Sequence, residues 1–201
     1  MPYTRILLAT ITALVCSACA NLLAKMYGIQ ELAGFDQEAY SAFVAGIKEI
    51  DSFYSIVSDT AQYKRVIALG KTPKAANDLG QPIQILYFQG NELKSFHANC
   101  YARGGLTNLN WNTANRFATF VPRTAVATDS LAVTLSEYSN IYPDIALHQK
   151  EYTVLIFWTL MLGKISHSAI ETVANNIQQA GKEKQTTVIL INTDKYFAGM
   201  P

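Results

Sequence analysis

A chain of 201 residues, 50% hydrophobic and 15% charged, is long enough for one domain with a substantial core and short for two. Its formal charge is +1; Arg5 in the leader is one of 16 basic residues, so the remainder sets 15 basic against 15 acidic groups. With that balance and no basic run, phosphate neutralisation has no visible footprint and nucleic acid is not an expected partner.

The chain opens MPYTRILLATITALVCSAC. Arg5 is a positive n-region and Ile6 to Val15 an apolar h-region, so residues 1–18 read as a secretory signal. Its end, Cys16-Ser17-Ala18-Cys19, resembles a bacterial lipobox, in which small residues precede a cysteine that is lipidated and becomes the new N-terminus. Cys16 stands where leucine is usual; the small pair Ser17-Ala18 favours Cys19 over Cys16. The same residues also admit an uncleaved anchor reaching Leu23, disfavoured by Thr10, Thr12 and Ser17, or a secreted signal cut near Ala20. Lipidation attaches acyl chains such as palmitate, and two or more chains, at about 0.8 kcal/mol per buried methylene, hold a protein stably to a bilayer. Ala20 in place of aspartate implies, by resemblance to other lipoproteins of Gram-negative hosts, an outer-membrane position facing the periplasm. Residues 19–25 are then a short tether and 26–201 a single domain close to the membrane. Two of the three cysteines lie in the leader, so Cys100 is alone and no disulfide forms within the mature domain.

Met26 to Ile29 is a candidate short strand. Phe35 to Ile50 carries a helical stripe of Tyr40, Phe43, Val44 and Ile47, with Asp36 near its start. Ser52 to Val57 is strand-like, and Ala61 to Leu69 reads as a helix with Tyr63, Val66 and Ile67 inward. Gly70 to Gly80, with lysines and Pro73, reads as an exposed loop. Pro82 to Gln89 is a strand by its β-branched and aromatic content; Gly90-Asn91 turns it into a second strand from Leu93 to Asn99, a hairpin. Cys100 to Pro122 is irregular and rich in Gly and Asn. Ser130 to Ile141 reads as a helix, Tyr152 to Thr159 as a buried strand, Ser166 to Ala180 as an amphipathic helix with Ile170, Val173, Ala174 and Ile177 on one face. Thr186 to Ile191 is a last strand, ended by Asn192-Thr193-Asp194. The alternation predicts an α/β fold, with a mixed sheet flanked by helices.

Phe157 to Ile165, FWTLMLGKI, resembles the thioredoxin signature Phe-Trp-Ala-x-Trp-Cys-Gly-Pro-Cys. Phe157, Trp158 and Gly163 match; Leu162 and Ile165 occupy the two cysteine positions and Lys164 takes the proline. Val188 to Asp194 is similar to the next thioredoxin strand. The hairpin is similar to the thioredoxin strand that a cis-proline opens, with Pro82 in that place. In thioredoxin the hairpin follows the Phe-Trp segment, whereas here it precedes it. The resemblance therefore implies a thioredoxin-like sheet that is either permuted or formed by residues 26–140 and extended by a C-terminal βαβ unit. Tyr27-Gly28-Ile29 and Phe157 to Lys164 are also similar to small lipoproteins of Bacteroidetes type, a resemblance that carries no activity.

Thiol–disulfide exchange needs one thiolate to attack and a second thiol to resolve, and Leu162 and Ile165 supply neither. His97 precedes Cys100 by three residues and is a candidate base for that thiol, although on an extended strand the two face opposite ways. His97, His148 and His167 lack metal-ligand spacing, and no cofactor-binding motif appears. In the loop, Tyr101, Arg103, Asn108, Asn110, Trp111 and Asn112 combine flat apolar rings with amide donors and acceptors, a mix suited to a glycan or peptide. The other reading is a structural loop with Trp111 plugging the core. Pro82 and Trp158 border a further candidate peptide groove. The expectation is a membrane-anchored envelope lipoprotein with a redox-inactive domain that binds an envelope protein or cell-wall glycan. The alternatives are a single-cysteine peroxidase or reductase using Cys100, and a structural subunit of an envelope complex.

Overall fold

The computed structural model describes residues 29–104 and 109–199. The leader with Cys16 and Cys19, the tether, residues 26–28 of the first expected strand and Asn108 lie outside the described residues, and Ile29 is not in a strand.

Five segments rich in β-branched and aromatic residues form one sheet: β1 (Tyr54–Val57), β2 (Gln84–Gln89), β3 (Glu92–Ala98), β4 (Tyr152–Trp158) and β5 (Thr186–Asn192), in the order β1-β5-β4-β2-β3. β1, β5 and β4 run parallel, and the β2–β3 hairpin lies antiparallel beside β4. This is the expected mixed α/β arrangement. Residues before 140 supply only an outer strand and a hairpin that do not touch each other. The C-terminal unit therefore forms the middle of the sheet instead of extending an earlier one.

Side-chain alternation divides β4 between two cores. Leu155 and Phe157 enter one with Tyr63, Leu79, Phe96 and Tyr138. Val154, Ile156 and Trp158 enter the other with Trp111, Phe117, Ile165 and Ile177. Cover on both faces explains why β4 reads as an almost wholly apolar run. The helices are α1 (Gln37–Gly46), α2 (Thr60–Ala68), α3 (Pro73–Leu79), α4 (Thr128–Leu131), α5 (Leu135–Ile141), α6 (Asp144–Leu147), α7 (Gly163–Gln179) and α8 (Asp194–Phe197). Among the described residues no helix is long and apolar enough to cross a membrane.

Three expectations change. Most of the loop expected between Gly70 and Gly80 is α3, started by the Thr72 hydroxyl on the Ala75 amide with Pro73 in the first turn, where its missing N–H costs nothing. The helix expected over Ser130 to Ile141 is two: Ala132 takes a left-handed conformation, φ 49°, and α5 restarts at a Thr134–Glu137 capping box that satisfies the new helix end. The helix expected from Ser166 begins at Gly163, directly after a 3₁₀ turn over Leu160–Leu162.

Gly70 lets α3 pack against the end of α2. A Cβ there would lie 2.3 Å from the Ala76 nitrogen, a backbone atom that cannot swing away. Gly70→Ala should lower stability by about 2 kcal/mol, the usual scale of overpacking, read as a lower urea midpoint. An unchanged midpoint would reject the close approach.

Candidate functional site

The Phe157–Ile165 segment lies where β4 ends and α7 begins, and Phe157, Trp158, Thr159, Leu162 and Ile165 in it are buried. Leu162 and Ile165 are both buried in the second core; Lys164 between them is exposed. Trp158 is fully buried. The Phe43 ring of α1 stacks on it at 4.2 Å between centroids, and the Tyr40 ring at 5.8 Å. The Tyr40 hydroxyl is fixed to Ser55 Oγ of β1 at 2.8 Å. The incoming chain crosses the 3₁₀ turn, with the Gln30 amide donating to the Met161 carbonyl at 2.8 Å.

Beneath this cover lies a buried polar lock. Asp194, fully buried, accepts from the Thr159 hydroxyl (2.6 Å), the Leu160 amide (2.8 Å) and the Asn192 side-chain amide (2.9 Å). The Ser166 hydroxyl donates to the Thr159 carbonyl at 2.9 Å, and the Thr193 hydroxyl to the Trp158 carbonyl at 3.1 Å. The end of β4, the turn and the first turns of α7 are thus tied to the end of β5 by side-chain hydrogen bonds. The arrangement holds the turn rigidly, and its polar side chains are hydroxyls, an amide and a carboxyl group.

Pro82 is half-buried, two residues before Gln84, which pairs with Phe157. The bond before Pro82 is trans, unlike the cis-proline of the resemblance. With Trp158 wholly covered, the groove expected between Pro82 and Trp158 is not an open surface at the tryptophan.

The Asn-rich loop is pinned from within. Trp111 is 3% exposed and packs in the second core with Phe117, so the stacking face expected of it is covered; this apolar pair anchors the loop. Asn112 accepts the Phe117 amide through Oδ1 at 2.8 Å. Arg103 and Asn110 are exposed and joined through their backbones, and the Thr113 hydroxyl accepts from the Arg103 amide and donates to the Asn110 carbonyl. Asn176 of α7 donates to the carbonyls of Phe117 and Thr119, each at 2.9 Å, and accepts from the Tyr87 hydroxyl.

Tyr101 belongs to a different group. Its hydroxyl donates to Asp78 Oδ1 at 2.5 Å, and Lys74 Nζ reaches Asp78 Oδ2 at 2.8 Å and the Tyr101 oxygen at 3.0 Å. The Asp78 carboxylate, and then the tyrosine hydroxyl, hold the Lys74 ammonium above its usual range. Lys74 and Asp78 fall in the stretch read as an exposed loop. Their only sequence signal is helical spacing of four, after Thr72-Pro73.

Among the described residues no hydrogen bond joins His97 to Cys100. The His97 ring nitrogen Nε2 pairs with Ser95 Oγ at 2.9 Å, and the ring lies 4.5 Å from that of Phe117. Cys100 is exposed; enclosure by neighbouring protein, and then the Asp78 carboxylate, push its thiol above the ordinary value. Burial, followed by the nearby Arg116 charge, lowers His97 to about 3 from 6.5. The folded state therefore holds His97 neutral while the unfolded chain protonates below pH 6.5, and stability falls as pH drops through that window. Between pH 7 and pH 5 the loss from this group should be about 2 kcal/mol. Urea denaturation at the two pH values checks it, and His97→Gln should flatten the difference.

Among the described residues no group of three His, Cys, Asp or Glu side chains is placed to hold one metal ion. No family model, curated protein or solved structure matches the chain.

Proposed function

We propose that the chain is a lipid-anchored envelope protein whose thioredoxin-like domain is redox-inactive and works by binding another envelope protein or a cell-wall component. The observation that carries the reading is the buried hydrocarbon of Leu162 and Ile165 at the two thiol positions of the motif. Disulfide exchange there has neither an attacking nor a resolving sulfur. The Asp194 lock and the aromatic cover from α1 support a static role for the same segment. The Cys16–Cys19 sequence supports the anchor, and Ala20 the outer-membrane position facing the periplasm.

Insulin turbidity with dithiothreitol tests the redox part: full-length protein should leave the rate at that of dithiothreitol alone, and acceleration would refute the reading. Palmitate labelling in cells tests the anchor: label should disappear in Cys19→Ala and persist in Cys16→Ala.

The exposure of Cys100 favours a second reading, a single-cysteine peroxidase or reductase. A nucleophilic thiol needs a depressed pKa, whereas this one is raised. Alkylation of the folded protein by iodoacetamide should rise with pH along a curve shifted above that of a free thiol. A plateau already reached at pH 7 would instead support the enzyme.

A further inference from the structure

The two edges of the sheet differ. Along β3 the chain itself runs beside the strand. The Ala125 amide donates to the Phe96 carbonyl at 2.9 Å, the Phe96 amide to the Thr124 hydroxyl at 3.1 Å, and Thr134 bridges to Glu92. β1 has no such cover. Val57 pairs with Asn192, and the Ser58 amide donates to the Asn192 carbonyl. In a parallel ladder this register turns the N–H and C=O groups of Ser55 and Val57 away from β5. Among the described residues no backbone group bonds to those four. Such a row of open donors and acceptors is a template for another strand.

A second observation comes from the side chains. Among the described residues two large hydrophobic side chains are exposed, Tyr54 at 45% and Leu147 at 76%. The fold brings both to the start of β1: the Tyr54 ring stacks on that of His148 at 3.4 Å between centroids, and Leu147 is the residue before that histidine.

A third is charge. Asp51 and Asp59 stand just outside the two ends of β1, exposed and in no ion pair among the described residues. Lys195, whose carbonyl accepts the Thr60 hydroxyl at the same end as Asp59, carries its ammonium over the Phe35 ring. Lys48, three residues before Asp51, is offset by Glu49 next to it.

These features select the occupant. Open backbone groups call for an extended segment. Tyr54 and Leu147 call for apolar side chains on one face of it, which a strand presents at alternate positions. The aspartates call for a lysine or arginine at each end. They also oppose a second copy, because antiparallel self-pairing sets the Asp51 end of one β1 against the Asp59 end of the other, and facing like charges destabilise a strand pair.

We propose that the open edge of β1 takes an extended, basic-ended segment of a partner protein as a sixth strand. The proposal deepens the binding role argued above and rests on it for the partner's being a protein.

Titrating the nitrogen-15-labelled full-length chain in detergent micelles with acetyl-Lys-Thr-Val-Thr-Val-Thr-Lys-amide tests it. Saturable amide shifts should centre on residues 53–58 and 147–148, with a midpoint on the order of 0.1 mM to 1 mM. Hydrogen exchange at the Ser55 and Val57 amides should slow about tenfold at saturation. The same peptide with glutamate at both ends should produce no saturable shift. Val57→Pro, which removes one outward N–H at an edge, should abolish binding. Asp51→Asn/Asp59→Asn keeps the cap of α2 and should raise the midpoint about fivefold. Shifts that do not saturate, equal binding of the glutamate-ended peptide, or a double variant that binds unchanged would overturn the proposal. So would Ser55 and Val57 amides already protected in the free monomer, which would make the chain's own residues the occupant. A free chain that sediments as a dimer, and as a monomer in Val57→Pro, would make the occupant a second copy and overturn it too. Insulin reduction would overturn the redox-inactive reading and leave these shifts in place, so the two failures are distinct.

Discussion

Replacing Asp194 with alanine should destabilise the protein by about 3–5 kcal/mol, because three donors, two of them on fully buried residues, lose their acceptor together and each buried orphan costs about 1–3 kcal/mol. Those donors are the Thr159 hydroxyl, the Leu160 amide and the Asn192 side chain. Thr159 and Asn192 are 0% exposed, so surface water does not reach their side chains. Asp194→Asn keeps one acceptor oxygen and should lose about half as much. Thr159→Val removes one donor to Asp194 and the oxygen that accepts the Met161 amide; with Asp194 and its other two donors left in place it should be milder still. The check is the ordering of urea midpoints: wild type highest, then Thr159→Val, then Asp194→Asn, and Asp194→Ala lowest. Equal midpoints for all would mean the lock bears no free energy.

Trp158→Ala should cost about 3–5 kcal/mol, the range for deleting a large aromatic side chain from a core. The expected effect has a diagnostic counterpart. The indole nitrogen of Trp158 has no hydrogen-bond partner, so Trp158→Phe removes volume and no bond. It should lose only about 1–2 kcal/mol. The stacked Phe43 and Tyr40 rings add a second consequence. With Trp158 gone, α1 loses the surface it lies on, and since α1 has no fully buried residue of its own, amide hydrogen exchange should quicken along α1 before it quickens in β5. Uniform acceleration across both elements would refute the idea that Trp158 holds α1.

What was legible in the sequence was whatever rests on local pattern. The hairpin follows from two β-rich runs around Gly90-Asn91, and β4 and β5 from apolar runs of strand length. The inward stripe of α1 was readable at Tyr40 and Phe43, but not the tryptophan they cover, more than a hundred residues later. Asp194 reads locally as a strand stop; its role depends on Thr159 and Leu160, which only the sheet brings to it. Trp111 was ambiguous for a physical reason: a large ring in a polar loop serves equally as a platform or a plug, and burial alone separates them. α3 was hidden because lysines and Pro73 read as loop signals, whereas Pro73 stands in the first turn of a helix, where proline is tolerated.

The strand order has a consequence for biosynthesis. β1 and β2 each need a neighbour from residues 152–192, so a growing chain that has reached residue 150 holds a hairpin and a lone strand with nothing to unite them. Such a molecule collapses to its final form only when the last quarter arrives, and the many distant pairings then required make for slow closure. Until that moment the polypeptide stays pliable enough to be threaded, and a truncation after α6 should leave a protease-sensitive remnant.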